Sequence, residues 1–157
     1  MFRFLTAGES HGPGLVAIAE GIPAGLAISE EYIFRDMARR QKGYGRGGRM
    51  QIERDWAVIQ SGVRHGKTMG SPIAMLIENR DFSTGNGPDG KPWTHTMNQV
   101  SVTGDVTPIH RLRPGHADTP GISKYMQDDA RNILERSSAR ESAARVAVGS
   151  IAKRFLE

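Results

Sequence analysis

An α+β domain is the fold class that the sequence predicts. Three observations carry it: strand-length apolar runs bounded by glycine and proline, two well-marked amphipathic helices, and no internal repeat. The 157 residues fit one domain with an aliphatic core of its own.

Phe2 to Ala7 predicts a first strand that ends in the loop Gly8-Glu9-Ser10-His11-Gly12-Pro13-Gly14. Leu15 to Glu20 predicts a second strand, closed by Gly21, Pro23 and Gly25. The first helix opens at Ser29, a natural N-cap. Glu30 and Glu31 follow in its first turn, and Ile28 and Ile33 are spaced as a hydrophobic staple. Ile33, Phe34, Met37 and Ala38 form its apolar stripe, and Gly43 is its stop. Met50 to Arg54 and Trp56 to Ser61 predict paired strands, and Ile73 to Glu78 predicts a buried one. From residue 79 to about residue 112 the chain predicts a long loop of the kind used as a lid or binding loop. A helix is expected from Ile122 to Leu134. The last helix opens at Ser138-Ala139-Arg140-Glu141, a capping-box pattern. Its stripe is Ala144, Ala147, Val148, Ile151, Ala152 and Phe155.

Composition removes some chemistries. With no cysteine there is no disulfide, thiolate nucleophile or cysteine-held metal. No histidine or carboxylate pair has metal-ligand spacing, so no metal is expected. No window has the ~20 apolar residues of a membrane span, and the first residues run into a glycine motif instead of a leader core. A cytoplasmic protein is expected. The formal net charge of +4 suits anionic partners, small or large.

Four groups of residues carry candidate chemistry. His11 lies among glycines, which let a ligand approach, and imidazole moves protons near neutral pH. His116 lies in Arg113-Pro114-Gly115-His116-Ala117-Asp118, where Asp118 is placed to orient its ring; His110 and Arg111 precede it. From Arg39 to Arg49, five of eleven residues are cationic and four are glycine, a pattern suited to carboxylate or phosphate. Arg136-Ser137-Ser138-Ala139-Arg140 opens a helix with hydroxyls and guanidinium groups, which suits a phosphate. The plain alternatives are surface turns, a solvated basic loop and simple capping. His65 and His95 have no evident partner and are expected at the surface.

In this order, these segments resemble chorismate synthase. The matching pieces are Gly8-Glu9-Ser10-His11-Gly12, the strip from Arg39-Arg40 to Arg46, Ser61 to Ala74, Arg113 to Asp118, and Arg136-Ser137-Ser138-Ala139-Arg140-Glu141-Ser142-Ala143. The resemblance implies a β-α-β sandwich, incomplete here, and one domain of which residues 1–157 are the N-terminal part. It implies a lyase of the shikimate pathway, in aromatic amino acid biosynthesis. That enzyme eliminates phosphate from 5-enolpyruvylshikimate 3-phosphate in a 1,4 sense to give chorismate, with reduced FMN (FMNH2) as cofactor and NADPH as a source of flavin reduction. His11 matches the histidine at the departing phosphate, and His116 the one near the flavin. Arg40 and Arg46 match substrate- or NADP-binding residues, and Arg136, Ser137 and Ser138 a segment that contacts FMN. Many members carry a glycine-rich run where this chain has Asn132-Ile133-Leu134-Glu135. The family's proton-abstracting aspartate belongs to a C-terminal part, so this chain is expected to be inactive alone and a homotetramer only when complete. A non-catalytic assembly fragment and a basic nucleic-acid-binding module are the alternatives; the thin aromatic content of the strip speaks against the second.

Overall fold

A computed structural model of the chain describes residues 1–42, 54–80, 82, 97 and 108–157. In chain order the strands are β1 (Arg3–Gly8), β2 (Gly14–Glu20), β3 (Ala57–Ile59), β4 (Val63–Arg64), β5 (Lys67–Thr68) and β6 (Ile73–Glu78). The helices are α1 (Glu30–Gln41), α2 (Asp118–Tyr125), α3 (Arg131–Leu134) and α4 (Ser142–Leu156), with a 3-10 turn over Ala139–Glu141 before α4. Mixed helix and antiparallel sheet confirm the α+β class.

The main sheet has the order β1-β2-β6-β3, with every neighbour antiparallel. Side chains alternate across it. Leu15, Ala17 and Ala19 of β2, Ile73, Met75 and Ile77 of β6 and Ala57 of β3 are buried in one core with Ile33 and Met37 of α1 and Ala143, Ala144, Ala147, Val148 and Ile151 of α4. The alanines of β2 and α4 let helix and sheet approach closely. The large side chains of this cluster each contribute on the order of 1.5–3 kcal/mol. The opposite sheet face keeps Leu5, Val16 and Val58 exposed. So β6 is buried on one face, not on both, and Ala74 and Leu76 stay half-buried.

The predicted N-cap of α1 forms: the Ser29 side chain accepts from the Tyr32 N–H at 3.2 Å. Glu30 does more than complement the helix dipole. It accepts from Trp56 Nε1 and from the Ile59 N–H, each at 2.8 Å, and ties α1 to β3. β3 pairs with β6. The expected partner Met50–Arg54 lies outside the described residues except for Arg54, which is in no strand; Gly43 and most of the 79–112 loop also lie outside.

Two expectations need correction. The helix from Ile122 to Leu134 is two helices. Met126 adopts the left-handed conformation that ends α2. Asp129 Oδ1 then accepts from the Arg131 and Ile109 N–H groups at 2.9 and 3.0 Å and starts α3. The capping box at Ser138 does not close either. Glu141 turns its carboxylate to Thr6 Oγ1 at 2.6 Å and Arg145 Nε at 2.7 Å, so a 3-10 turn precedes α4. The buried stripe of α4 accordingly includes Ala143 and Ser150 and leaves Phe155 exposed.

Candidate functional site

The His11 loop joins β1 to β2 where the backbones approach closely. Gly8 has φ +105°, and a Cβ there would lie 2.3 Å from Gly14 O; at Gly14 it would lie 2.7 Å from Ile77 O. These two glycines are therefore required by close backbones, and not only by ligand access. Asn79, at the end of β6 and fully buried, staples the loop. Its side-chain amide donates to the carbonyls of Glu9, Ser10 and Gly12 at 3.0, 3.3 and 2.7 Å, and its own N–H donates to Pro13 O at 3.0 Å.

The partner of His11 is Glu135, 124 residues away in sequence. Nδ1 of His11 lies 2.8 Å from Glu135 Oε2, and the His11 N–H donates to the same oxygen at 2.9 Å. The Ser10 N–H donates to the Glu135 carbonyl at 3.1 Å. The Glu135 side chain is 1% exposed and His11 26%. Burial alone would raise the Glu135 carboxyl. The bond and charge of His11, its backbone N–H and Arg131 outweigh burial and hold it below the usual carboxylate range.

His116 is held locally. Gly115 turns the chain at φ +75°. The buried Asp118, first residue of α2, accepts from His116 Nδ1 at 2.5 Å and from the Arg113 N–H at 2.9 Å. Arg113 Nη2 lies 3.0 Å from His116 Nδ1 and 3.1 Å from Nε2, and the Asp118 carboxylate against Nδ1 suits a ring protonated there. Burial would raise the Asp118 carboxyl, but the bonds from Arg113 and His116 prevail and hold it at about 2. The orienting role that the spacing gave to Asp118 is thus visible in the geometry.

The Arg136–Ser138 segment sits between the two histidine loops. Arg136 Nη2 donates to Thr6 O and Oγ1 at 2.7 and 2.9 Å. Ser138 Oγ lies 3.2 Å from Ser10 Oγ, beside His11. Arg136 and Ser137 line a cleft of about 600 Å³ together with Ala117, Pro120, Lys124 and Ile133. Ala117 neighbours His116, so the cleft runs from the His116 loop to the Arg136 segment.

Not every cation faces this cleft. Arg140 turns inward: Nη1 binds Asp55 Oδ1, Nε donates to Asn79 Oδ1 at 2.8 Å and Nη2 to Glu78 O at 3.1 Å. Arg40, with its side chain 8% exposed, donates to the other oxygen of Asp55 at 2.9 Å. The structure therefore places Arg40 in a buried frame, Arg40–Asp55–Arg140–Asn79, that ends at the His11 loop. Arg46 and His95 lie outside the described residues. His65 sits exposed in the β4–β5 turn with φ 49°. Sequence reasoning missed Glu135, Asn79 and Asp55. Each is an ordinary polar residue at the end or edge of an apolar run and has no local motif.

This α+β scaffold presents two carboxylate-paired histidines and, next to His116, a cleft that mixes apolar walls with arginine, lysine and hydroxyl groups. The chain belongs to the chorismate synthase family, whose sequence model matches residues 2–157. It is 60% identical over 158 residues to the chorismate synthase of Geotalea daltonii, covering 100% of this chain and 38% of that protein. It is 58% identical to that of Aquifex aeolicus, covering 98% of this chain and 37% of that protein. A solved crystal structure of chorismate synthase superposes with a TM-score of 0.69 at 48% identity, over 99% of this chain and 34% of the other. The chain spans about 38% of the length of the curated relatives it matches. No helix among the described residues is long and apolar enough to cross a membrane.

Proposed function

We propose that this chain carries part of a chorismate synthase active site: His11 faces the departing phosphate of 5-enolpyruvylshikimate 3-phosphate, and His116 borders a flavin site. The observation that supports the proposal is the position of the Arg136–Ser138 segment: Ser138 touches Ser10 beside His11, while Arg136 and Ser137 line a cleft with Ala117, the neighbour of His116. That cleft fits FMN in kind. Ala117, Pro120 and Ile133 suit an apolar ring system, while Lys124, Arg136 and Ser137 suit a phosphate. Reduced FMN supplies electron density to the substrate, with no net redox change.

In a 1,4-elimination a C–O bond and a C–H bond break, the carbon skeleton gains a double bond, and phosphate and a proton leave. His11 gives a proton to the phosphate oxygen, which makes phosphate a better leaving group. His116, held by Asp118, supplies a hydrogen bond at the flavin edge. Arg136 and Ser138 add donors for anionic oxygen. Arg40 acts through the buried frame in this reading, and Arg46 is proposed as a substrate or NADP ligand. NADPH as the flavin reductant, the cytoplasm as the location and a homotetramer as the assembly of the complete protein belong to the same proposal. A nucleic-acid role has less support: Arg39 pairs with Asp36 at 3.1 Å and Arg40 is buried against Asp55, so two cations of the basic strip are committed.

The test is ligand protection followed by turnover. FMN and the phosphorylated substrate raise the unfolding temperature of the chain by mass action. Anaerobic incubation with both yields no chorismate, because the chain alone is inactive. Absence of any protection overturns the site assignment, and normal turnover overturns the inactivity.

A further inference from the structure

The bond between Glu135 and His11 has a consequence for where the reactive proton sits. We propose that Glu135 is a positioning residue that fixes the proton on His11 Nδ1 and so makes Nε2 the nitrogen that exchanges a proton with the substrate. The proposal rests on His11 being the proton donor.

Three facts support it. Glu135 is buried while His11 is partly exposed, so the carboxylate lies behind the ring and not in front of it. Both carboxylate oxygens lie within 2.9 Å of Nδ1. A carboxylate only accepts hydrogen bonds, so Nδ1 has to carry a hydrogen in the neutral ring as well as in the charged one. Finally, the loop cannot swing away from the carboxylate. The same Oε2 holds the His11 N–H, the Glu135 carbonyl holds the Ser10 N–H, and Asn79 holds three loop carbonyls. A purely structural tie between α3 and the loop is already made by those backbone bonds. The ring contact adds something they do not need: a defined tautomer and a defined ring direction.

Residues 132–135 gain a meaning from this. Asn132-Ile133-Leu134 forms the last turn of α3 and delivers Glu135 beneath the loop. A glycine at position 135 has no side chain to supply this contact.

The test is the ¹H–¹⁵N correlation spectrum of the His11 ring, with neutral imidazole observed in the parent chain and in Glu135→Ala. The expected result is the Nδ1–H tautomer in the parent and a shift to Nε2–H, the usual form of imidazole in water, in the variant. A parent ring in the Nε2–H form overturns the proposal, as does an unchanged tautomer in Glu135→Ala. If that variant does not fold, the parent spectrum decides alone. The readout does not depend on catalysis. Normal turnover of His11→Ala in the complete enzyme, beside the expected spectra, overturns the donor role of His11 and leaves the positioning intact.

Discussion

The two histidine loops solve the same problem in opposite ways. Each ring places Nδ1 against a buried carboxylate. His116 finds Asp118 two residues away, within one turn that the Arg113 N–H completes. His11 finds Glu135 across the fold, and its loop is shaped by Asn79 from β6, which depends on Arg140 and Asp55 in turn. The first arrangement needs only a short stretch of chain. The second exists only when the sheet and the C-terminal helices are assembled. An arrangement built this way couples His11 to the integrity of the core.

That difference yields predictions of decreasing size. Asp55→Ala leaves Arg40 and Arg140 buried without their shared counter-ion. It should cost about 3–5 kcal/mol in urea unfolding, and an unchanged midpoint would remove the frame from the account. Asn79→Ala empties the staple and leaves Arg140 Nε without its acceptor. We expect a loss of about 1–3 kcal/mol, with hydrogen exchange rising at Ser10 and His11 and staying constant at His116. Uniform exchange changes would contradict the contrast between the loops.

The acid limb of stability probes the local loop. The Asp118 carboxyl sits at about 2 in place of 3.8. A depressed carboxyl contributes stability above its unfolded value that is lost as pH falls through the folded value. Unfolding midpoints measured across that window should therefore fall less steeply in Asp118→Asn than in the parent. Glu135 is lowered in the same direction and leaves a remaining slope of its own. The smallest effect is at Ser138, whose cap bond to the Arg140 N–H is long at 3.4 Å. Ser138→Ala should cost about 0.5–1 kcal/mol, and a larger loss would mean that its contact with Ser10 matters more than the cap.

The same contrast explains what was legible in the sequence. Asp118 was readable as the partner of His116 because two residues of spacing confine both side chains to one turn. The Ser29 cap and the strands β1, β2 and β6 were readable from local sequence. Glu135 was not, since nothing in Asn132-Ile133-Leu134-Glu135 indicates that α3 ends beneath the His11 loop. Arg140 was misread for a related reason. The pattern Ser-Ala-Arg-Glu predicts a capping box, and only tertiary structure shows Glu141 taken by Thr6 and Arg140 drawn to Asp55. The pairing of Arg40 with Asp55 in the buried frame was not legible either, because Asp55 lies fifteen residues away with no local motif to link them.

The most direct test of this account is the ring spectrum of both histidines in Asn79→Ala, recorded while the chain is still folded. His11 should lose its native resonance positions while His116 keeps them. Movement of both rings together, or of neither, would contradict the claim that one histidine is placed by the whole fold and the other by its own turn.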